Sequence, residues 1–276
     1  MNPGSLDDRL EELRRGLRAL DRVVIAYSGG VDSAFLLSVA VETLGERAVA
    51  LTAVSPSYPP HELVAAREFA ARVGARMIEV QTHELDRPGY RANAGDRCYH
   101  CKAELFDVAA LEAARRDLGQ LCYGAIPDDL GDHRPGMTAA SERGIRAPLI
   151  DAGLSKADIR ALSRRMDLPV WDKPAAACLS SRFPDGTEVT AARLGQIDRC
   201  ETALRALGLR QFRARFHGDL VRVEIAPDEL PRVLVDATVR EGIVGAGRAA
   251  GFRFVTLDLE GYRAGGANLA LVTIGG

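Results

Sequence analysis

Lysine is scarce in this 276-residue chain: Lys102, Lys156 and Lys173 are its only three among 36 basic residues. The skew toward arginine mostly reflects genome composition and says little about function. Aromatic residues make up 5% of the chain and the net charge is -2, which argues against a general nucleic-acid binder. No apolar run approaches the length that crosses a bilayer. The N-terminal MNPGSLDDRLEELRRGL is charged and lacks the apolar core of a secretory signal, so the expectation is a cytoplasmic protein without a membrane partner. Thiols stay reduced there, and five cysteines suggest chemistry or metal more than disulfides. A Walker A loop, internal repeats and low-complexity tracts are absent.

What is present is an alternation of short apolar runs with helical stretches. Runs at 22–27, 48–54, 76–80, 120–126 and 146–150 read as strands. Helical patterns lie between and after them at about 31–44, 60–73, 101–117, 138–143 and 155–166, and a leucine stripe at 5–20 precedes the first strand. Continuous apolar strands alternating with helices predict an α/β domain whose parallel, doubly wound sheet is covered on both faces. Residues 167–186 hold three prolines and no clear period, which marks a segment that lines a site and leads to a second domain. After it come a helix at about 190–207, strands at 211–216 and 220–226 joined by a His217-Gly218-Asp219 turn, helices at about 228–237 and 239–250, and a strand at 252–258. The expected division is 1–166, a linker at 167–186, and a smaller α+β domain at 187–276 that binds substrate or mediates oligomerisation.

The strongest motif is Ser28-Gly29-Gly30-Val31-Asp32-Ser33, between the first strand and a helix. Its glycines let backbone N–H groups approach an anion, and the helix N-terminus after it favours negative charge. Ser28 and Ser33 add hydroxyl donors, and Asp32 can hold a phosphate-bound Mg²⁺. A capped tight turn is the competing reading. Gly245-Ala246-Gly247 falls in a helical pattern without the preceding strand that a dinucleotide site needs.

The SGGVDS run after the first strand resembles the signature of the PP-loop ATP pyrophosphatases, of the adenine nucleotide alpha hydrolase-like, Rossmann-like type. The resemblance implies cleavage of ATP into AMP and pyrophosphate with an adenylated substrate. It also implies adenosine contacts near Ala53, Val54 and Ser55. Three further runs, Asp96-Arg97-Cys98-Tyr99-His100-Cys101-Lys102, Asp128 to Gly136 (DDLGDHRPG) and Trp171 to Arg182 (WDKPAAACLSSR), are similar to LarE-type sulfur transferases over roughly residues 5–260. Membership of that family implies sulfur insertion into a pyridinium dicarboxylate mononucleotide during assembly of the nickel-pincer cofactor of lactate racemase. It further implies a homo-oligomer.

Chemistry supports a central thiol. A carboxylate accepts a nucleophile once adenylation has made its oxygen part of a leaving group, and the Cys178 thiolate can then attack the acyl carbon and release AMP. Lys173 and Arg182 nearby would favour the thiolate and the oxyanion. Loss of sulfur from Cys178 would leave dehydroalanine and limit the enzyme to one turnover. Alternatively Cys98, Cys101 and Cys178 supply three thiolates for a [4Fe–4S] cluster with an open iron. Zinc with His100, or bystander cysteines, is the third reading. Cys122 and Cys200 lie in apolar and helical patterns and are expected to be structural.

Lys102 and Lys173 adjoin the cysteine runs and are candidates for catalysis or for plain solvated surface. Asp128 and Asp129 follow the fourth strand and suit a metal or ribose role, or a cap. His61 and His133 are expected on the surface. In the second domain Phe212, Ala214 and Phe216 alternate with Arg213 and Arg215, and Val221, Val223 and Ile225 with Arg222 and Glu224. The charged face is expected to be exposed, or else to clamp a substrate phosphate. LarE-type proteins are similar in binding substrate here, with Glu201, Arg213 and Arg215 as the matching candidates. A tRNA-thiolating enzyme, an NAD-synthetase-like amidating enzyme and a non-catalytic nucleotide sensor are the rivals; the first needs an RNA surface that the charge and aromatic content do little to provide.

Overall fold

The computed structural model describes residues 4–130, 135–174 and 177–263. His133 and the rest of 131–134, with Ala175 and Ala176, lie outside them. The described chain divides into two compact units, one of residues 4–90 and 96–174, the other of 91–95 and 177–263.

In the first unit the order is α1 (Leu6–Leu20), β1 (Val23–Ala26), α2 (Val31–Leu44), β2 (Ala48–Val54), α3 (Pro60–Arg72) and β3 (Arg76–Gln81). After a short α4 (Pro88–Ala92) that runs into the second unit, it continues through α5 (Arg97–Arg115), β4 (Gln120–Tyr123), α6 (Pro135–Glu142), α7 (Pro148–Asp151) and α8 (Lys156–Arg165). The four strands are parallel in the order β3-β2-β1-β4, as the apolar runs predict. Side-chain alternation divides the core between the two faces. Val23, Ile25, Ala48 and Ala50 pack with α1, α2, α7 and α8, while Val24, Val49, Leu51 and Ile78 pack with α5 and α6. Helix α1 starts at a reciprocal Ser5–Asp8 capping box and buries Leu10, Leu13 and Leu17.

The run at 146–150 is not a strand. Arg146 makes a single bridge to Cys122, and Pro148 then opens α7. A proline's fixed φ and missing N–H suit the first turn of a helix and end a ladder.

The second unit contains α9 (Ala191–Ala206), β5 (Phe212–His217), β6 (Leu220–Ile225), α10 (Leu230–Val235), α11 (Ala237–Ala249) and β7 (Phe254–Leu257). β5 and β6 form an antiparallel hairpin and β7 adds parallel to β6. His217 pairs with Leu220, so the turn is Gly218-Asp219, with Gly218 at φ 67°. The apolar side of the hairpin is buried, and α9 and α11 pack against this sheet. A Cβ on Gly247 would lie 2.5 Å from Val255, so this glycine serves close helix–sheet packing. Residues 91–95 belong here because Val189 and Gly186 donate N–H bonds to the carbonyls of Arg91 and Asn93. No helix among the described residues is long and apolar enough to cross a membrane.

Candidate functional site

The strand order reverses direction between β1 and β4, which is where an open α/β sheet leaves a crevice beyond its strand ends. The 28–33 loop leaves β1 at this point. Gly29 adopts φ 71°, a conformation glycine reaches without strain, and an added Cβ would lie 3.2 Å from the Cβ of Ala66. Gly30 caps α2 with no side-chain bond, so the first N–H groups of that helix lack a side-chain acceptor. The Ser28 and Ser33 hydroxyls are 3.1 Å apart, and Ser33 also donates to the carbonyl of Gly30. Gly124, just past β4, carries no side chain where a Cβ would stand 2.9 Å from the amide nitrogen of Ser33. No local pattern in the sequence marks that glycine, because only the fold brings it to the loop.

All three lysines are accounted for. The Lys156 ammonium lies 2.8 and 2.7 Å from the two carboxylate oxygens of Asp32. Its backbone N–H donates to Asp128. Lys173 donates to the carbonyl of Gly29 at 3.0 Å and to Glu62 at 2.6 Å, so it serves the same loop. Lys102 lies over the Phe106 ring, 5.9 Å from its centroid. Asp129 accepts from the amide of Ile126 and caps the short turn Pro127–Asp129. At the end of β2, the Ser55 hydroxyl bonds that of Ser57, which donates to the buried Glu84. Ala53 and Val54 are half-buried beside them.

Cys98 and Cys101 stand one turn apart at the start of α5, the first exposed and the second half-exposed. His100 bonds Asp96 across the same turn at 3.1 Å. The helical pattern therefore begins four residues before the expected 101. Among the described residues, no three His, Cys, Asp or Glu side chains gather closely enough to hold a metal ion.

Cys178 belongs to the second unit and caps the short turn Leu179–Arg182. Its side chain is half-exposed while its carbonyl accepts from Ser181 N–H and from the Arg182 guanidinium, each at 3.0 Å. Arg182 is itself buried and doubly bonded to Glu201, both contacts at 2.9 Å. Burial opposes ionisation of Glu201, yet the charge and hydrogen bonds of Arg182, with the Ala214 amide, hold its carboxyl below the usual range. Arg182 thus supports the Cys178 backbone with its own charge already matched. By contrast burial pushes the Cys122 and Cys200 thiols up to about 12, in keeping with structural roles.

The arginine face of the hairpin is not a plain solvated surface, because an arginine on it is buried against a carboxylate. Arg215 bonds Glu224 and the carbonyl of Ser181, each at 2.8 Å, tying the sheet to the Cys178 turn. Arg222 stands opposite Arg215 and reaches Glu224 and Asp258. Arg213 lies over the Tyr262 ring. Buried nitrogens of Arg215 (Nε), His217 (Nε2) and Arg222 (Nε) have no hydrogen-bond partner. Burial, then the charges of Arg222 and Arg215, depress the His217 pKa below its ordinary value. Such a histidine stabilises the fold least in acid: its contribution is intact above the unfolded value of about 6.5 and is lost as pH falls toward the lower folded value. NMR titration of the His217 ring is expected to show a midpoint below 6.5 that rises in Arg222→Gln.

No protein-family model matches the chain. An uncharacterized protein of Synechocystis sp., slr1717, is 45% identical over 266 residues, 96% of this chain and 99% of its own. An uncharacterized protein of Methanocaldococcus jannaschii, MJ0830, is 27% identical over 242 residues, 88% of this chain and 91% of its own. The pyridinium-3,5-bisthiocarboxylic acid mononucleotide synthase of Lactiplantibacillus plantarum is 34% identical over 253 residues. That match takes in 91% of each chain, and on its strength this chain belongs to the LarE family.

Proposed function

We propose that the protein is an ATP-dependent sulfur transferase acting on a pyridinium dicarboxylate mononucleotide, in assembly of the nickel-pincer cofactor. The observation that carries this reading is the family relation to the bisthiocarboxylic acid synthase, joined to a glycine loop at the reversal point of the sheet. The loop Ser28–Ser33 and the open N-terminus of α2 suit phosphate groups, and Ala53 and Ser55 flank the last residue of β2, where an adenosine would lie. Asp32 and Asp128 are the carboxylates for Mg²⁺, with Asp129 placed as a cap.

In the first step a substrate carboxylate oxygen attacks the α-phosphorus and pyrophosphate leaves with the bonding pair. The Cys178 thiolate then attacks the acyl carbon and AMP departs. Removal of the α-proton of Cys178 drives cleavage of its Cβ–S bond, the pair passing to sulfur. The products are a thiocarboxylate and dehydroalanine at 178. Cys98 and Cys101, one helical turn apart and accessible, would hold two positions of an iron–sulfur cluster in the alternative route, for which Cys178 is the third candidate ligand. Such a cluster would supply the sulfur as sulfide and spare the Cys178 side chain. Glu201, Arg213 and Arg215 are the candidate substrate ligands, and the unpartnered nitrogens on that sheet face suit an anionic phosphate. Lys102 and Lys173 serve charge neutralisation in this scheme.

Anaerobic protein incubated with ATP and the dicarboxylate nucleotide is expected to release AMP and pyrophosphate in equal amounts and to form thiocarboxylate. Intact mass then separates the routes: loss of one hydrogen sulfide marks the sacrificial cysteine, and bound iron with unchanged protein mass marks the cluster. Nucleotide binding without pyrophosphate release would refute the assignment.

A further inference from the structure

Lys156 occupies an unfavourable place for a cation. It is the first residue of α8, after the Ser155 cap, where the helix macrodipole repels positive charge. Its position is nevertheless held firmly: Ser155 and Asp158 form a reciprocal capping box, Arg9 bonds Asp158 at 2.8 Å, and Asp128 accepts the Lys156 N–H. The ammonium this scaffold delivers meets both oxygens of Asp32, in the first turn of α2 and in the middle of the glycine loop. The loop is thereby left electrically neutral, with Lys156 against Asp32 and Lys173 against Glu62. A neutral cradle is a poor receptor for a polyphosphate, which brings several negative charges.

We propose that Lys156 is the exchangeable counter-ion of Asp32, holding its carboxylate in the nucleotide-free protein and giving it up to the divalent cation that arrives with the nucleotide. The freed ammonium passes to a phosphate oxygen, so the swap turns an internal ion pair into one metal contact and one phosphate contact. This inference rests on the reading of the loop as an ATP site. The pair is suited to exchange, since its side chains are 35% and 25% exposed and water competes for both. Asp128 acts as a positioning residue, because it fixes the backbone from which Lys156 extends. A purely structural pair joining α8 to α2 is the competing account.

The test is calorimetric titration of the full chain with a non-hydrolysable ATP analogue over a range of Mg²⁺ concentrations. Lys156→Gln leaves Asp32 unpaired, so the Mg²⁺ needed for half-maximal binding is expected to fall about fivefold. At saturating Mg²⁺ the same variant binds the analogue about tenfold more weakly, having lost a charged phosphate contact. Lys156→Arg keeps a partner for both oxygens of Asp32 and is expected to raise the Mg²⁺ midpoint, which gives a reading if the Gln variant folds poorly. An unchanged Mg²⁺ midpoint in both variants, with wild-type protein binding the analogue, overturns the exchange and leaves the ATP site standing. Absence of analogue binding by wild-type protein at any Mg²⁺ concentration overturns the ATP site and the exchange together.

Discussion

Cys178→Ala is expected to abolish thiocarboxylate formation, by roughly a thousandfold or more, while pyrophosphate is still released as the acyl-adenylate forms. The two halves separate because adenylation needs only the loop and the substrate, whereas every sulfur route proposed passes through this thiol. Folding should change by no more than about 0.5 kcal/mol, since the side chain is half-exposed. The features that fix its backbone, Ser181 N–H and the Arg182 guanidinium on its carbonyl, do not involve the sulfur. Product thiocarboxylate, pyrophosphate and the melting temperature are the three measurements. Cys98→Ala and Cys101→Ala complete the set: both lose activity if a cluster carries the sulfur, and both keep it if Cys178 surrenders its own. Thiocarboxylate made by Cys178→Ala would sink both routes.

Removing the carboxylate of Glu201 is expected to have the largest effect on stability. Glu201→Ala leaves the Arg182 guanidinium, whose side chain is 5% exposed, with its counter-charge gone. Breaking a buried pair in this way costs about 3–5 kcal/mol. The Ala214 amide loses its acceptor as well. An unpaired Arg182 would shift toward water and release the carbonyls of Ala177 and Cys178, so thiol positioning should fail together with stability. Replacing both partners with apolar residues, as in Arg182→Met with Glu201→Leu, is expected to recover much of the stability and none of the sulfur transfer. Urea unfolding and single-turnover assays of the single and double variants read the two effects separately. If Glu201 acted only on bound substrate, Glu201→Ala would raise KM and leave the unfolding midpoint in place.

Much of the architecture was legible before any coordinates. Four of the five apolar runs in the first unit are strands because a buried parallel strand needs continuous Val, Ile, Leu and Ala, and little else produces that pattern. The fifth, at 146–150, is a single bridge followed by a helical turn, because apolar content alone does not separate a strand from such a turn and Pro148 decides it. The glycine loop was visible for a local reason, since strand, glycines and helix start are contiguous in sequence. The hairpin was equally visible from its alternation, but the fate of its charged face was not. Whether Arg215 meets water or Glu224 depends on a cross-strand register and on the Cys178 turn, 34 residues earlier in the chain, that accepts its second bond.

The sequence by itself therefore determined the elements, the phosphate loop and the three cysteines of interest, because each rests on residues within a few positions of one another. Only the tertiary structure decided how the charges are matched. It paired Lys156 with Asp32 across 124 residues and Lys173 with Glu62 across 111. It also turned Arg182 from a free cation into the buried support of Cys178. A side chain's ionic partner is set by where the fold carries it, and the electrostatics of both candidate sites depend on that placement.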